Sequence, residues 1–352
     1  TQYSSTYGIG EVAKGFQALN PAQMAAAKAA MALWGDLIDV KFTEASGDTA
    51  DIRIASSSAP KTAWAYGPGS SSEAGDAWFG TSAGYYTNPE AGNYGFHTFI
   101  HELGHSLGLA HPHENKLGTG NFSAEEVTGQ SLCPCCAGLI HGMVSNAEAI
   151  QIQEAGMVNG TVDFGGSTAS NSIDAMAYSI MSYSSYANDG RTGYTNGTWD
   201  YAQTPMLRDV AAVQYLYGAN YNTRSGDTVY SWSESTGEKF INGVGAGAPG
   251  GNKVFETLWD GGGRDTIDMS KYTSDLKIDL APGGWANFGN SQVASLGAGQ
   301  YAPGNVALAY LYQGDQRSLI ENAVGGSGND TIRGNAGNNV LVGGAGNDRI
   351  EA

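Results

Sequence analysis

The stretch "HTFIHELGHSLGLAHP", residues 97–112, holds four of the six histidines in the chain. His101 and His105 are four residues apart, so a helix would place both imidazoles on one face, about one turn apart. Gly108 can adopt the left-handed conformation that ends a helix and turns the chain. The spacing therefore predicts a helix followed by a sharp turn, after which His111 joins the other two side chains.

Three converging imidazoles predict a zinc site. They leave a fourth position for water, which is typical of a catalytic rather than a structural zinc. Glu102 follows the first ligand, and its carboxylate can take a proton from bound water and pass it to a leaving amine. H-E-x-x-H alone recurs by chance, but a glycine and a third histidine at fixed offsets make the pattern more specific. His97 is interpreted as a core or surface histidine without a direct role.

Composition narrows the class of protein. The chain has 352 residues, 41% of them apolar, which predicts a globular protein with room for two domains. A formal net charge of −17 argues against a nucleic-acid partner and favours cation binding. No apolar run approaches the ~18 residues that a membrane span requires. The cysteines Cys133, Cys135 and Cys136 lie together, so a long-range disulfide framework is excluded.

Periodicity predicts the elements of the first two thirds of the chain. Helices are expected over residues 20–40, over the histidine stretch, and from Thr204 to Gly218, with short ones after Ser123 and Ser145. The core-facing positions of the first helix are expected to be Met24, Met31, Trp34 and Ile38. Those of the helix after Thr204 are expected to be Met206, Val210, Val213 and Tyr217. Strands are expected over residues 40–45, 50–56, 62–69 and 75–80.

Near residues 218–226 the helical pattern ends and Gly, Asn and Asp become frequent, which predicts a domain boundary. A nine-residue repeat follows from residue 325: "GGSGNDTIR", "GNAGNNVLV" and "GGAGNDRIE". This is the repeat of calcium-binding parallel β-rolls, in which turn carbonyls and carboxylates bind the ion. Ile332, Leu341 and Ile350 are expected to fill a core too thin to be stable without metal. Calcium would thus replace disulfides as the stabiliser.

"YSIMSYSSY", residues 178–186, supplies the methionine turn expected beneath a metzincin zinc site. The zinc motif, this turn and the nonapeptide repeats together resemble the serralysins, secreted alkaline metalloproteases of Gram-negative bacteria. "ALWGDLIDVKFTEA", "LRDVAAVQYLYGANYNTRSGDTVY" and "WDGGGRDTID" are similar to that family as well. The resemblance implies an α+β metzincin catalytic domain, with a mixed twisted sheet and an active-site helix, in residues 1–222. An all-β parallel β-roll domain would occupy residues 223–352.

The resemblance also implies roles at the zinc site. The implied zinc ligands are His101, His105 and His111. Glu102 would be the base, Tyr183 a switching fifth ligand that stabilises the oxyanion, and Met181 a packing floor. The implied reaction is peptide-bond hydrolysis, with the substrate added as a strand to a sheet edge. The candidate edge is Trp64, Ala65 and Tyr66, although these aromatics are equally well explained as packing residues.

Three calcium sites are implied by the same resemblance. The site between repeats would use Gly326, Gly328, Asp330, Gly343, Ala345 and Asp348. One site at the domain junction would use Arg224, Gly226, Thr228, Asp260, Gly262 and Asp265. Its neighbour would use Gly262, Gly263, Asp265, Leu319 and Glu321. The middle repeat has Asn339 where Asp is usual, so a site using it would be weaker or absent.

The chain departs from the family pattern between His111 and Met181. This separation of 70 residues, by subtraction of the two numbers, is longer than expected and contains "CPCCAGLIHGM". A surface insertion without chemistry is the favoured interpretation; a local disulfide, a reactive thiol or a small metal site that includes His141 are the alternatives. The N-terminus lacks a leader pattern, and the roll is short, so a mature and truncated form is expected.

The expected protein is a secreted, extracellular monomer that acts on proteins and peptides, and the family implies export by type I secretion. Attachment to the cell surface and a protein inhibitor stay open. An alternative in another class is a calcium-dependent binding protein, against which the retention of Glu102 argues. An astacin-like or matrixin-like metzincin is a further alternative. Ser182 and Tyr183, together with the repeats, favour the serralysin type.

Overall fold

The computed structural model describes residue 3 and residues 7–45, 50–112, 174–190, 193–289 and 291–352. The predicted helices after Ser123 and Ser145, the three cysteines and His141 lie outside the described residues. The helices of the described part are α1 (Pro21–Leu37), α2 (Tyr94–Ser106) and α3 (Leu207–Tyr217). None of these helices has the length and apolar character that crossing a membrane requires.

Three strands precede α2, and fourteen follow α3. The first three are β1 (Ile54–Ser57), β2 (Ala63–Ala65) and β3 (Ala77–Gly80). Those from residue 229 to residue 301 are β4 (Val229–Trp232), β5 (Lys239–Ile241), β6 (Val244–Gly245), β7 (Glu256–Leu258), β8 (Thr266–Asp268), β9 (Lys277–Asp279), β10 (Trp285–Asn287), β11 (Ser295–Gly297) and β12 (Gln300–Tyr301). The last five are β13 (Val306–Leu308), β14 (Asn322–Val324), β15 (Thr331–Arg333), β16 (Val340–Val342) and β17 (Arg349–Glu351).

Helix α1 packs mainly through alanines, together with the predicted Met31, Trp34 and Ile38, whereas the predicted Met24 is exposed. Its N-terminus has a capping box, in which Asn20 and Gln23 each accept a hydrogen bond from the other's backbone N–H. The buried face contains Ala26, Ala27, Ala30, Trp34 and Leu37, whereas Met24 is 47% exposed. Small side chains let the helix approach α2 closely, and the Trp34 indole N–H donates to the Ile100 carbonyl at 3.1 Å. The prediction for Met24 was therefore wrong.

The N-terminal sheet has the strand order β1-β3-β2, with β1 parallel and β2 antiparallel to β3. The mixed sheet and the helix beside it confirm the predicted α+β architecture. Phe79 of β3 stacks on Phe99 of α2, with ring centroids 3.9 Å apart, so the sheet and this helix share one core. The strand predicted over residues 40–45 is absent, because this segment finds no partner strand among the described residues.

Helix α3 begins two residues later than predicted. Met206 is the N-cap, and its backbone N–H donates to the Asp209 carboxylate at 2.8 Å. Thr204 does not cap the helix, since its hydroxyl oxygen accepts from the Thr257 N–H at 2.8 Å. Gly218, at φ +76°, ends the helix as predicted.

The C-terminal part contains two six-stranded sheets that face one another. Their orders are β17-β15-β9-β10-β13-β7 and β16-β14-β8-β4-β5-β6. Successive strands from β14 to β17 alternate between the sheets and pair in parallel, as expected for a β-roll. Ile332 is buried and Leu341 is half-buried, but Ile350 is 46% exposed. It lies on β17, in register with the buried Ile332, and β17 pairs only with β15 among the described strands.

Side chains from both parts of the chain join one core. Phe255, Trp259 and Leu296 belong to the same buried cluster as Trp34 and Phe99. The Trp259 indole N–H donates to the Asn220 carbonyl at 3.0 Å across this junction. The C-terminal part therefore packs directly against the histidine-bearing half, while the division at residues 222 and 223 stays a prediction.

Candidate metal centre

Helix α2 and the turn after it bring the three predicted histidines together. Gly108, at φ +103°, reverses the chain, and the Leu109 N–H closes the helix on the Gly104 carbonyl at 2.9 Å. The Nε2 atom of His111 then lies 3.2 Å from Nε2 of His101 and 3.0 Å from Nε2 of His105. All three rings are buried. The described residues contain one group of three side chains suited to binding a metal ion, and it is this one.

In two of the three rings, a hydrogen bond at Nδ1 determines that the lone pair lies on Nε2. Nδ1 of His101 lies 2.9 Å from the Ile180 carbonyl oxygen, and Nδ1 of His105 lies 2.7 Å from that of Leu109. A carbonyl only accepts, so each Nδ1 carries the hydrogen and each Nε2 carries a lone pair. Burial, together with the charges of His105 and His111, lowers the pKa of His101 well below its usual value and keeps the ring neutral.

The geometry fits a tetrahedral zinc ion. Zinc–nitrogen bonds of about 2.0–2.1 Å imply nitrogens ~3.3 Å apart along each tetrahedral edge. The Nε2 separations of 3.0 and 3.2 Å are close to that value. Lone pairs that converge in a buried place repel unless a cation lies between them. The donor set therefore fits zinc.

Glu102 lies buried beside this set. Its Oε2 atom has no hydrogen-bond partner among the described residues. Burial raises the pKa of Glu102 to about 8. A carboxyl group in this state exchanges protons near neutral pH, which is what a general base requires.

Met181 packs beneath the helix that bears the histidines, as predicted, and Gly104 makes room for it. A Cβ atom at Gly104 would lie 2.7 Å from the Met181 sulfur and 3.1 Å from the Trp34 ring. This role of Gly104 was not predicted from the sequence. The available signal was a glycine inside a helix, where it costs about 1 kcal/mol relative to alanine.

Asp209 holds the methionine turn in place and was also missed. Its carboxylate accepts from the Ser179 hydroxyl at 2.7 Å and from the Ile180 N–H at 2.6 Å. The Ile180 carbonyl in turn accepts from His101, so Asp209 fixes the residue that orients a histidine. Burial raises the pKa of Asp209 to about 6, against the effect of these hydrogen bonds.

Tyr183 lies at the rim of the group. Its ring centroid is 4.2 Å from that of His111 and 5.8 Å from that of His101, and its ring plane is nearly parallel to that of His101, at 11°. Its side chain is 41% exposed, so it faces the solvent side of the histidines. The structure thus brings together the histidines, Glu102, Met181 and Tyr183.

His97 is a buried core histidine, one of the two interpretations made above. Its Nε2 lies 3.3 Å from the Tyr194 hydroxyl, which donates to the Ser182 carbonyl at 2.8 Å. Burial lowers the pKa of His97 to about 3, so the ring is neutral. Ser182 precedes Tyr183, and His97 therefore contacts the candidate site indirectly.

The candidate substrate edge has two different faces. Ala65 is buried, whereas the Trp64 N–H and the Tyr66 hydroxyl both donate to the carboxylate of the buried Glu11. Strand β2 lies at one end of its sheet, so its outer backbone edge has no strand beside it in the described part of the chain. The two aromatic side chains serve packing, and the backbone is what such an edge offers to a peptide.

Two buried carboxylates face each other at the predicted calcium junction. Gly262 and Thr228 donate backbone N–H groups to Asp260 and Asp265, each at 2.8 Å, and the Asp265 N–H donates to Glu321 at 2.9 Å. Oδ2 of Asp265 is buried without a hydrogen-bond partner in the described residues. Burial, and then the charge of Asp260, raises the pKa of Asp265 to about 8.

The remaining junction residues surround this pair. The Arg224 guanidinium donates to the Asp36 carboxylate and to the Trp259 carbonyl, each at 2.8 Å, and its charge also acts on Asp260. Gly226 and Gly263 belong to adjoining turns, since a Cβ at Gly263 would lie 2.6 Å from the Gly226 carbonyl oxygen. Leu319 is buried next to Glu321.

The repeat turns stack as predicted. Asp330 accepts from the Gly326 N–H at 2.7 Å, and Asp348 accepts from the Asp330 N–H at 3.0 Å. The Ala345 N–H donates to the Gly326 carbonyl at 3.0 Å. Glycine is required in this stack, because a Cβ at Gly328 would lie 2.4 Å from the Ser274 carbonyl oxygen, and one at Gly343 would lie 2.3 Å from Asp348.

The middle repeat has a different arrangement. Asn339 accepts from the Asn335 N–H at 2.8 Å and donates to the Asn335 side chain at 2.9 Å. The Asn335 amide also donates to the carbonyls of Leu280 and Ile320. Amide hydrogen bonds therefore hold this turn.

Comparison with known proteins gives a consistent result. Residues 2–117 match the family described as Matrixin, and residues 219–352 match the family described as Peptidase M10 serralysin C terminal. The chain is 35% identical over 334 residues to the metallopeptidase AprA of Pseudomonas marginalis, and 33% identical over 327 residues to serralysin C of Dickeya chrysanthemi. It is 32% identical over 345 residues to the serralysin of Proteus mirabilis.

These alignments cover 93%, 90% and 91% of the chain, and 57%, 54% and 55% of the respective relatives. The chain thus spans a little over half the length of the relatives that it matches. The two matched families lie on either side of residues 118–218, which include the segment that departs from the expected pattern.

Proposed function

This chain belongs to the serralysin family of metallopeptidases, and we propose that it is a zinc endopeptidase that hydrolyses peptide bonds of extracellular proteins. One observation carries the proposal. Imidazole lone pairs converge in a buried place, beside a buried carboxylate whose Oε2 lacks a hydrogen-bond partner among the described residues. This combination destabilises the folded protein unless a cation binds between the lone pairs and the carboxylate can exchange a proton.

His101, His105 and His111 would hold the zinc ion. When bound, zinc lowers the pKa of a bound water and polarises the carbonyl of the scissile peptide. The carbonyl bonds of Ile180 and Leu109 keep two of the rings in the required tautomer. The chain's own contribution is thus a preorganised and neutral ligand set.

Glu102 moves the proton in the proposed reaction. Its carboxylate takes a proton from the attacking water as the water oxygen bonds to the peptide carbon. It then delivers that proton to the amide nitrogen as the carbon–nitrogen bond breaks. In the metal-free protein, burial raises the pKa of Glu102 to about 8, so this carboxyl holds a proton more strongly than a solvent-exposed glutamate does.

Tyr183 and Met181 complete the site. The Tyr183 phenol would leave the metal when substrate binds and donate a hydrogen bond to the carbonyl oxygen as that oxygen gains charge. Its exposure and its contact with His111 allow both positions. Met181 supports the histidine-bearing helix from below. The outer backbone edge of β2, at Trp64 and Ala65, would pair with an extended substrate, whereas the backbone of Tyr66, just after β2, is already bonded to Asp76 and Gly75.

Calcium is proposed at the junction and between the repeats. Asp260 and Asp265 place two carboxylates together in a buried setting, which a Ca²⁺ ion would stabilise. Asp330 and Asp348 occupy stacked turns with glycine carbonyls nearby. We further propose that the protein is a monomer exported by type I secretion, in keeping with its family and its acidic net charge of −17.

The Glu102→Ala variant tests the proposed function. It should retain one zinc per chain and lose casein hydrolysis by at least about 10³-fold, because the ligands remain and the proton acceptor is gone. The matched control is Glu44→Ala, an exposed glutamate in the same half of the chain. Full casein hydrolysis by Glu102→Ala, or an inactive wild-type protein loaded with zinc and calcium, would overturn the proposal.

A further inference from the structure

A hydrogen bond from Tyr194 holds the peptide group that precedes Tyr183. The Tyr194 hydroxyl donates to the Ser182 carbonyl oxygen at 2.8 Å. That carbonyl shares its planar peptide group with the backbone nitrogen of Tyr183. Fixing the peptide plane therefore restricts the direction in which the Tyr183 side chain leaves the backbone.

His97 completes the connection on the other side. The Tyr194 hydroxyl uses its hydrogen on Ser182, so its oxygen can accept, and Nε2 of His97 lies 3.3 Å from that oxygen. His97 lies on α2, one turn before His101. A path of close polar contacts thus runs from the helix that carries His101 and His105 to the turn that carries Tyr183, without passing through the metal position.

Tyr194 is itself well anchored. Its ring packs against His97 and Tyr201, with centroids 5.3 and 5.7 Å away. The adjacent Thr195 donates its hydroxyl to the Leu296 carbonyl of β11 at 2.6 Å and its N–H to the Ser185 hydroxyl at 2.8 Å. The C-terminal part of the protein therefore helps to fix Tyr194.

From these contacts we propose that His97 and Tyr194 are positioning residues that set Tyr183 relative to the three histidines. Neither residue touches the reacting atoms. The proposal rests on the role of Tyr183 proposed above, and it adds residues outside the zinc motif and the methionine turn. A displaced phenol would lie farther from the metal and from the carbonyl oxygen of the substrate, and misplacement by about 1 Å can cost up to 10²-fold in rate.

Substitution of copper for zinc tests the proposal without any substrate. A phenolate bound to Cu²⁺ gives a charge-transfer absorption band, so the wild-type copper protein should show one that Tyr183→Phe abolishes. Tyr194→Phe should lower this band by at least half while the metal content stays at one ion per chain. His97→Leu should do the same, and His97→Gln, whose amide can still donate, should retain most of the band.

Tyr201→Phe is the matched control, because no described residue accepts a hydrogen bond from its hydroxyl and its ring lies in the same cluster. It should leave the band unchanged. In the zinc protein, Tyr194→Phe should lower kcat about 10-fold with little change in KM. Because both residues act through one interaction, the double variant Tyr183→Phe/Tyr194→Phe should be no slower than Tyr183→Phe.

An undiminished copper band in Tyr194→Phe would overturn the proposal, as would additive losses in the double variant. Absence of the band from the wild-type copper protein would overturn it as well, because Tyr183 would then not lie at the metal. A protein that binds copper with the band but hydrolyses nothing would contradict the proposed endopeptidase alone, since the band is measured without substrate.

Discussion

At the residue scale, Gly104 shows how little space separates the histidine-bearing helix from its support. The Met181 sulfur and the Trp34 ring both lie where a side chain at this position would go. Alanine usually stabilises a helix relative to glycine by about 1 kcal/mol. The contacts at Gly104 therefore oppose the gain in helix propensity that alanine would bring at this position.

The Gly104→Ala variant should be less stable than the wild type by about 1–3 kcal/mol, because the added methyl overpacks a tight contact. Unfolding in urea, with zinc and calcium present, measures this difference. A variant at least as stable as the wild type would show that Met181 moves freely and does not support helix α2 rigidly.

The stability of the metal-free protein should depend on pH because of Glu102. Burial raises its pKa from 4.5 to about 8. Between these values the folded state holds a proton that the unfolded state has released. The contribution of this bound proton to the free energy of unfolding is thus complete below about pH 4.5 and is lost as the pH rises through 8.

The Glu102→Gln variant stays neutral at every pH, so its stability should not follow this change. With zinc removed and calcium retained, its Tm should match that of the wild type near pH 5 and exceed it above pH 8. Thermal unfolding across this range measures the effect, with Glu44→Gln as the exposed control. A constant Tm difference between the two proteins at all pH values would contradict the buried position of Glu102.

The zinc-site residues differ in how well sequence predicts them. The histidines were predictable because helical spacing and one glycine determine their geometry within eleven residues. Gly104 and Asp209 were not, since their roles depend on contacts with Met181 and Ile180, far away in sequence. Trp64 and Tyr66 show the same limit, because nothing near them in sequence indicates that both donate to Glu11.

At the scale of elements, α3 and the methionine turn form one unit. Asp209 caps α3 through Met206 and also accepts from Ser179 and Ile180 of the turn. The helix start was predicted two residues early because Thr204 and Pro205 have a typical capping pattern. The Thr257 N–H takes the Thr204 oxygen instead, a competition that local sequence does not reveal.

The Asp209→Asn variant should destabilise the protein by about 2 kcal/mol, because an amide supplies one acceptor oxygen where two are used by buried donors. Casein hydrolysis should fall together with stability, since the Ile180 carbonyl that orients His101 loses its support. Asp39→Asn, an exposed aspartate just after α1, is the control. Wild-type unfolding and hydrolysis in Asp209→Asn would show that the turn holds its shape without this carboxylate.

At the scale of the whole molecule, calcium should decide the stability of the C-terminal part. The architecture was predictable because each repeat specifies one turn and one strand, and stacking follows from repetition. The register of Ile350 with Ile332 follows from the same repetition. The packing of Phe255 and Trp259 against the N-terminal half of the chain could not be predicted from the repeat pattern.

The effect of Asp265→Asn on the stability of the protein should change sign when calcium is added. Burial, and then the charge of Asp260, raises the pKa of Asp265 to about 8, so without the ion two buried carboxylates repel near neutral pH. The variant should then be more stable than the wild type in a calcium chelator and less stable in millimolar calcium. Thermal unfolding in both buffers checks this. Equal effects in the two buffers would argue against a calcium ion at this pair.

X-ray absorption at the zinc edge of the purified protein shows directly which atoms bind the zinc ion. We expect one zinc per chain, with three imidazole nitrogens at about 2.0–2.1 Å and further nitrogen or oxygen ligands. His101→Ala should abolish this signal. Sulfur neighbours at about 2.3 Å would contradict the account, because they would place the zinc on cysteines rather than on the three histidines.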